Sequence, residues 1–338
     1  MSFTLDGSRI LVTGATGSFG NAFVRKVLRS TGVSRLVIYS RDELKQYEMR
    51  AKLAEEGLLD ERLRFFIGDV RDLDRLERAL SDINVVIHAA ALKQVPTAEY
   101  NPIECIKTNV LGAENVVSAA IDRGVERVIA LSSDKAANPI NLYGATKLCS
   151  DKLFVAANHL AGFKPTRFSV VRYGNVVASR GSVVALFKQL AQTGQPVPIT
   201  DPRMTRFWLT IDQGVEFVLK CLSRMAGGEI FVPKLPSMKV VDVANAVVPG
   251  APHKYIGIRP GEKLHEIMIT RDDAANTIEF DEYFVIRPAF SWWEQREANN
   301  GHFKKGRAVA EGFQYSSDVN DQWLNADEFR EMVGLVHA

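Results

Sequence analysis

The chain has 338 residues, 46% of them hydrophobic and 24% charged, with a formal net charge of +2. That is length enough for one substantial core or for a large domain with a smaller one attached. The charge is too balanced for a nucleic-acid footprint, and no run reaches the ~18 apolar residues that span a bilayer.

Short apolar runs alternate with helical patterns over the first half. RILVTGA (9–15), RLVIYS (35–40), LRFFIGDV (63–70), NVVIHAAA (84–91), RVIALSS (127–133) and FSVVRYG (168–174) read as strands. Their apolar residues are consecutive rather than alternating, which suits strands buried on both faces of a parallel sheet. Amphipathic stretches lie between them, such as SFGNAFVRKVLRS, RDELKQYEMRAKLAEEG and NVLGAENVVSAAIDRG. Repeated β-α units predict an α/β fold with a doubly wound parallel sheet. After about residue 175 the rhythm changes. A helix pattern (SVVALFKQLAQTG) is followed by Pro196, Pro198 and Pro202, a second helix pattern at 212–225, the strand GEIFVP, the helix pattern VVDVANAVV and the segment GIRPGEKLHEIMI. The expected organisation is a dinucleotide-binding domain over 1–175 that carries the catalytic residues. A small C-terminal α/β substrate lobe over 176–290 follows, some of it returning to the first domain, and then an irregular tail over 291–338.

The N-terminus shows no charged segment followed by an apolar run and cleavage site, so a cytoplasmic location is expected. Cys105, Cys149 and Cys221 fit neither a disulfide framework nor a zinc pattern, and the histidines show no HExxH or HxxxH spacing, so no metal is expected.

TGATGSFG places Gly14, Gly17 and Gly20 directly after the first strand and at the opening of a helix. Glycine allows the tight turn and lets backbone N–H groups approach a pyrophosphate at the helix N-terminus. Thr16, Ser18 and Phe19 complete that loop. At the end of the second strand, where an Asp or Glu commonly holds the ribose 2′-hydroxyl of NAD, stand Ser40 and Arg41 in YSRDELK. A guanidinium holds a 2′-phosphate by charge-assisted bonds, so Arg41, with Lys45 one turn on, favours NADP. Asp42 beside them keeps NAD open. Asp69 and Val70 follow the third strand where adenine is expected. Ala89 and Lys93 follow the fourth.

Tyr143 and Lys147 are one helical turn apart and share a face. A nearby ammonium lowers a tyrosine pKa, and the phenolate can then take a proton from a substrate hydroxyl as hydride leaves its carbon. Ser133, at the end of the fifth strand, sets a hydroxyl beside the same oxygen. Asp134 and Lys135 follow directly. His88 reads as a core histidine.

These motifs, in this order, resemble the extended short-chain dehydrogenase/reductase family, and within it the inverting nucleotide-sugar 4,6-dehydratases. The resemblance covers most of the chain: TGATGSFG, YSRDELK, FFIGDVRDL, HAAALKQVP, ECIKTNVLGA, SSDKAANPINLYGATK, VVRYGNVVASRGSV, PITDPRMTRFW and GIRPGEKLHE. It implies a Rossmann fold, UDP-N-acetylglucosamine as substrate, a homo-oligomer with a hexamer as one arrangement, and the first step toward pseudaminic acid. Gln94 and the loop around 55–62 depart slightly from the pattern, away from the chemistry.

The resemblance also implies the roles. Tyr143 and NADP oxidise the sugar C4 hydroxyl. Lys135 is the base at C5 and Asp134 the acid for the C6 oxygen, and a lysine at 135 in place of glutamate marks the inverting branch. Lys135 must be neutral to act, and burial, Lys147 and the nicotinamide charge are expected to lower its pKa. Lys93, Asn175, Arg180, Thr200, Met204, Arg206, Arg259 and Glu262 are the expected substrate contacts. A UDP-sugar epimerase of the same fold is the alternative, since it uses Tyr143 and Lys147 but needs the acid-base pair less. A non-catalytic scaffold is disfavoured because both members of the YxxxK pair are present.

Overall fold

The computed structural model describes residues 3–177, 183–289 and 302–335. Its first half alternates strand and helix: β1 (Arg9–Thr13), α1 (Ser18–Ser30), β2 (Arg35–Ser40), α2 (Glu43–Glu55), β3 (Leu63–Ile67), α3 (Leu73–Ala79) and β4 (Val85–His88). Then come α4 (Val95–Tyr100), α5 (Pro102–Ile106), a π-helical turn over Lys107–Leu111, α6 (Gly112–Asp122), β5 (Arg127–Ser133), α7 (Leu142–Leu160) and β6 (Arg167–Tyr173). All six strands read from the apolar runs are present. Ile10, Leu11 and Val12 on β1, and Val85, Val86 and Ile87 on β4, are fully buried, as helices on both faces of a parallel sheet require.

The second half contains β7 (Asn175–Val176), α8 (Val183–Gln192), β8 (Val197–Ile199), β9 (Thr205–Leu209), α9 (Ile211–Arg224), β10 (Ile230–Pro233), β11 (Ser237–Lys239), α10 (Val240–Val247) and β12 (His253–Tyr255). It continues with β13 (Ile267–Ile269), β14 (Thr277–Glu279), β15 (Tyr283–Ile286), β16 (Arg307–Ala308), β17 (Tyr315–Ser316) and α11 (Ala326–Met332).

The main sheet has ten strands in the order β16-β14-β15-β10-β6-β5-β4-β1-β2-β3. From β3 through β10 every pairing is parallel, and β15, β14 and β16 add antiparallel strands at the edge. The order reverses between β1 and β4, and ligands of such sheets bind at that crevice, outside the carboxyl ends of the strands. A second core, with Phe187, Trp208, Met238 and Phe329 buried in it, covers this edge. Its small sheets are β11-β9-β7 and β12-β8.

Segments of 176–290 return to the main sheet, as the sequence reading allowed: β10, β14 and β15 join it, and β16 from the C-terminal segment joins it too. The C-terminal segment is not an irregular tail where it is described. Phe303 and Tyr315 are buried in the main core and Phe329 in the second, and β17 pairs with β13. Its buried apolar residues are too widely spaced to show a period, yet Phe303, Tyr315 and Phe329 each fill a place in a core built by the preceding chain.

Candidate active site

A single cleft of about 990 Å³ runs along the carboxyl edge of the sheet, from Gly14 to Glu266. Every candidate of the dinucleotide half, from Gly14 to Lys93, lines it, as do the five catalytic candidates. Asn175, Thr200, Met204, Arg206, Arg259 and Glu262 line its far end. Arg180 lies outside the described residues.

The dinucleotide end is built by the β1–α1 turn. Gly14 has φ +64°, and a Cβ there would stand 2.8 Å from Ala90 N, so only glycine lets the turn pass under the end of β4. Gly17 precedes α1 with no capping side chain, and the first turn has no acidic residue. Such a helix start suits a phosphate. Thr13 Oγ1 accepts N–H bonds from Ala89 (3.1 Å) and Ala90 (3.2 Å) and lies 2.8 Å from His88 Nδ1. A hydroxyl that accepts twice must donate its own proton, here to Nδ1, so His88 is a neutral imidazole. Burial, and then the charge of Lys147, hold its pKa down at about 3. The histidine is a core group, as read.

At the end of β2, Asp42 is engaged. Its side chain accepts from Lys45 N as the N-cap of α2 (3.0 Å) and pairs with Lys45 Nζ (2.7 Å). Arg41 is exposed and stands 3.8 Å from Asp69. Val70 is buried against Gly112, and its carbonyl accepts from Asn115 Nδ2 at 3.0 Å.

The chemical centre lies where β5 ends. Asp134–Ala136 form one 3-10 turn, and Ser133 caps it. Helix α7 begins beside that turn because residue 144 is glycine: a Cβ would stand 2.3 Å from Lys135 O. This close approach brings Tyr143 to Ser133, Asp134 and Lys135. Lys147, one turn along α7, donates to Leu131 O at 2.6 Å, and burial lowers its pKa. Burial pushes Tyr143 up to about 12, opposed by the charge of Lys135 and a hydrogen bond from Ser133. Lys135 is thus a cation that favours the phenolate here, beside the Lys147 that the YxxxK spacing suggested.

Asp134 is 1% exposed; its Oδ1 accepts from Ser133 Oγ (2.8 Å) and Lys135 Nζ (3.1 Å). Burial raises its pKa, but the Lys135 charge and these bonds outweigh that and keep it a carboxylate. Lys135 corrects the sequence reading. Burial does work against its ammonium, yet Asp134 and Glu266 outweigh burial and hold the pKa above the ordinary lysine value. Lys135 Nζ lies 3.2 Å from Glu266 Oε1. Glu266, in the GIRPGEKLHE stretch, was not singled out from the sequence. Its partner lies 131 positions away, and no local pattern reveals such a pair.

Arg206 is near the substrate end but committed. It donates to Thr205 O (2.7 Å), Leu264 O (3.1 Å) and Lys263 O (3.0 Å), and contacts Met204 Sδ (3.0 Å). Its remaining N–H faces Glu266 at 3.6 Å. A guanidinium so occupied shapes the cleft more than it receives a phosphate. Arg259, paired with Glu262 at 2.9 Å, is largely exposed and keeps more freedom. Lys93 lines the cleft, and burial lowers its pKa. Nine buried side-chain polar atoms of the described residues have no hydrogen-bond partner, and six line this cleft: Thr108 Oγ1, Ser132 Oγ, Asp134 Oδ2, Asn175 Nδ2, Trp208 Nε1 and Glu266 Oε2. Unpaired buried polar atoms are costly, and their concentration here marks a cleft built to be filled by a polar ligand. Trp208, which sits beside Asn175 in the β7–β9 register, is a further wall the sequence did not suggest.

The chain matches the family described as polysaccharide biosynthesis protein over residues 10–288. It is 55% identical over 331 residues to the UDP-N-acetylglucosamine 4,6-dehydratase (inverting) of Campylobacter jejuni subsp. jejuni serotype O:23/36 (strain 81-176), covering 97% of this chain and 98% of that one. It is 39% identical over 333 residues to the UDP-glucose 4-epimerase of Rickettsia canadensis (strain McKiel), covering 96% and 94%. Among solved structures, Pen from Bacillus thuringiensis superposes with a TM-score of 0.87 at 30% identity, covering 98% of this chain and 99% of that one.

Proposed function

The chain belongs to the polysaccharide biosynthesis protein family, a branch of the extended short-chain dehydrogenases/reductases, and from that premise we propose that it is a UDP-N-acetylglucosamine 4,6-dehydratase that inverts C5. The observation that carries this reading is the Asp134–Lys135 pair, its carboxylate buried, beside Tyr143. An epimerase needs to oxidise and reduce C4 only. A carboxyl and an amine 3.1 Å apart at the same place are what water elimination needs in addition.

Gly14, the uncapped start of α1 and the loop after β4 fit a nicotinamide dinucleotide. When bound, it supplies hydride acceptance from C4 and hydride return to C6, so the reaction has no net redox change. NADP is the form proposed: Asp42 is occupied by its own helix and by Lys45, whereas Arg41 is exposed.

Tyr143 takes the proton of the C4 hydroxyl. The ketone so formed acidifies the C5 proton, which passes to Lys135 Nζ. Asp134 donates a proton to the C6 oxygen, which leaves as water. C5 then takes up a proton from solvent water on the opposite face. Asn175 Nδ2 and Trp208 Nε1, both buried and unpartnered, offer donors to the sugar nucleotide, with Thr200, Met204, Arg259, Glu262 and Lys93 around it. Arg180 belongs to the same proposal from the sequence alone. The product, UDP-2-acetamido-2,6-dideoxy-β-L-arabino-hexos-4-ulose, is the keto sugar with which pseudaminic acid synthesis begins. Such a role suits a cytoplasmic homo-oligomer. No helix among the described residues is long and apolar enough to cross a membrane.

Mass spectrometry of the nucleotide sugar after incubation with the NADP-loaded protein tests the reading. Loss of one water supports it. A sugar of unchanged mass whose proton NMR shows an inverted C4 supports the epimerase instead.

A further inference from the structure

Glu266 has no task in the reaction as laid out above. It is 2% exposed, and its Oε1 lies 3.2 Å from Lys135 Nζ and 3.6 Å from Arg206 Nε. Its Oε2 is buried without a hydrogen-bond partner, 3.9 Å from Lys263 Nζ. Its backbone is held on both sides by Ser317: Glu266 N donates to Ser317 Oγ and Ser317 N donates to Glu266 O, each at 2.9 Å. Arg206 is fixed in turn by three carbonyls. A carboxylate anchored this firmly dictates where a neighbouring amine can rest.

We infer that Glu266 is a positioning residue for Lys135, holding its amine between two carboxylates rather than against Asp134 alone. The inference rests on the dehydratase reading and deepens it. Asp134 and Lys135 are consecutive on one short turn and already in hydrogen-bonded contact at 3.1 Å, so Glu266 acts on where the amine of that pair rests. A second carboxylate at nearly the same distance fixes the amine from another side.

The protonation states agree with this arrangement. In the resting site Lys135 is an ammonium and Asp134 a carboxylate. The working site needs an amine and an acid. One N–H bond of Lys135 breaks and one O–H bond of Asp134 forms across 3.1 Å, and the pair's proton count is unchanged. The pair therefore holds its single proton until the upper of its two macroscopic pKa values is passed. Lys135 is faced by Asp134 from its own turn, Tyr143 from α7, Arg206 from β9, and Glu266 and Lys263 from the segment before β13.

The test uses the NADP-loaded wild type, Glu266→Gln and Glu266→Asp with UDP-N-acetylglucosamine in D₂O. Deuterium entry at C5 reports on Lys135, and transient absorbance of the reduced dinucleotide reports on oxidation at C4. Misplacing the base in Glu266→Gln is expected to slow C5 exchange by roughly 10- to 100-fold. C4 oxidation and KM are expected to stay within about twofold. The alkaline limb of kcat moves to lower pH, because the ammonium loses a carboxylate that holds its proton. Glu266→Asp, which keeps the charge but draws it back, falls between. Exchange at the wild-type rate in Glu266→Gln, an unmoved alkaline limb, or C4 oxidation lost in step with exchange overturns the inference. If Glu266→Gln fails to fold, as a thermal melt shows, Glu266→Asp decides alone, and wild-type exchange there overturns it. A wild type that shows no exchange overturns the dehydratase reading itself, and is told apart because no substitution is involved.

Discussion

Lys135, with a quarter of its side chain exposed, and the buried His88 both lose solvation to the fold, yet their surroundings drive their pKa values in opposite directions. Lys135 has two carboxylates within 3.2 Å; His88 has only a threonine hydroxyl and the distant charge of Lys147. Replacing Lys135 by Ala is expected to leave dinucleotide binding intact and to cut dehydration by roughly 10²- to 10⁴-fold, as loss of a general base does. Titration with NADP and turnover with the sugar nucleotide separate the two effects. For His88 the sign follows from a folded pKa of about 3 set against an ordinary value of 6.5. The unfolded chain binds the proton first, so this contribution to stability is complete above about pH 6.5 and is lost as pH falls toward 3, at up to ~1.4 kcal/mol per pH unit. Urea midpoints between pH 7 and 5 should fall, and His88→Gln should flatten that slope. At this scale Tyr143 and Lys147 were legible from their spacing on one helix face and Ser133 from its place at a strand end, while the roles of Asp134 and Lys135 came from the family resemblance. The sequence did not reveal Glu266 or Trp208, whose partners are fixed by the folding of distant segments, nor the charge state of Lys135, which depends on one of them.

The elements that set the site are the 3-10 turn at 134–136 and the start of α7. Asn141 ties them to the second core: its Oδ1 accepts from Gly144 N at 2.7 Å, and its Nδ2 donates to Gly261 O at 2.7 Å. Lys263 closes the same seam by donating to Ala137 O at 2.5 Å. A methyl group at Gly144 would meet the Lys135 carbonyl at 2.3 Å, which is backbone and cannot yield cheaply. Gly144→Ala should therefore lever α7 from the catalytic turn, abolishing turnover and lowering the thermal midpoint, while the β1–α1 end still binds dinucleotide. Full activity in that variant would show that the close approach is dispensable. The parallel strands and their helices were legible because burial on both faces demands unbroken apolar runs. The antiparallel edge, β14 to β16, was not, since strands of two to four residues leave no period to read. The π-helical turn at Lys107–Leu111 was equally silent, although Asn109 there bonds both the N–H and the carbonyl of Leu92.

On the scale of the molecule, a dinucleotide fold is closed over by a second core whose last buried side chain, Phe329, comes from the final helix. The cleft between them joins a phosphate-ready helix start at one end to the Asp134–Lys135–Glu266 cluster at the other. That continuity, rather than any one residue, is why oxidation at C4 and elimination across C5 and C6 can share a site. The doubly wound sheet and its binding edge followed from the alternating pattern; the way 302–335 seals the far lobe did not, because its buried side chains, Phe303, Tyr315 and Phe329, are too far apart in sequence to show a period. The most direct test of the central claim is proton NMR of the product formed from UDP-N-acetylglucosamine in D₂O by the NADP-loaded protein. A 4-keto-6-deoxy sugar of L-arabino configuration with deuterium at C5 is the expected result. A retained C6 hydroxyl, or a dehydrated sugar with its original C5 configuration, would contradict it.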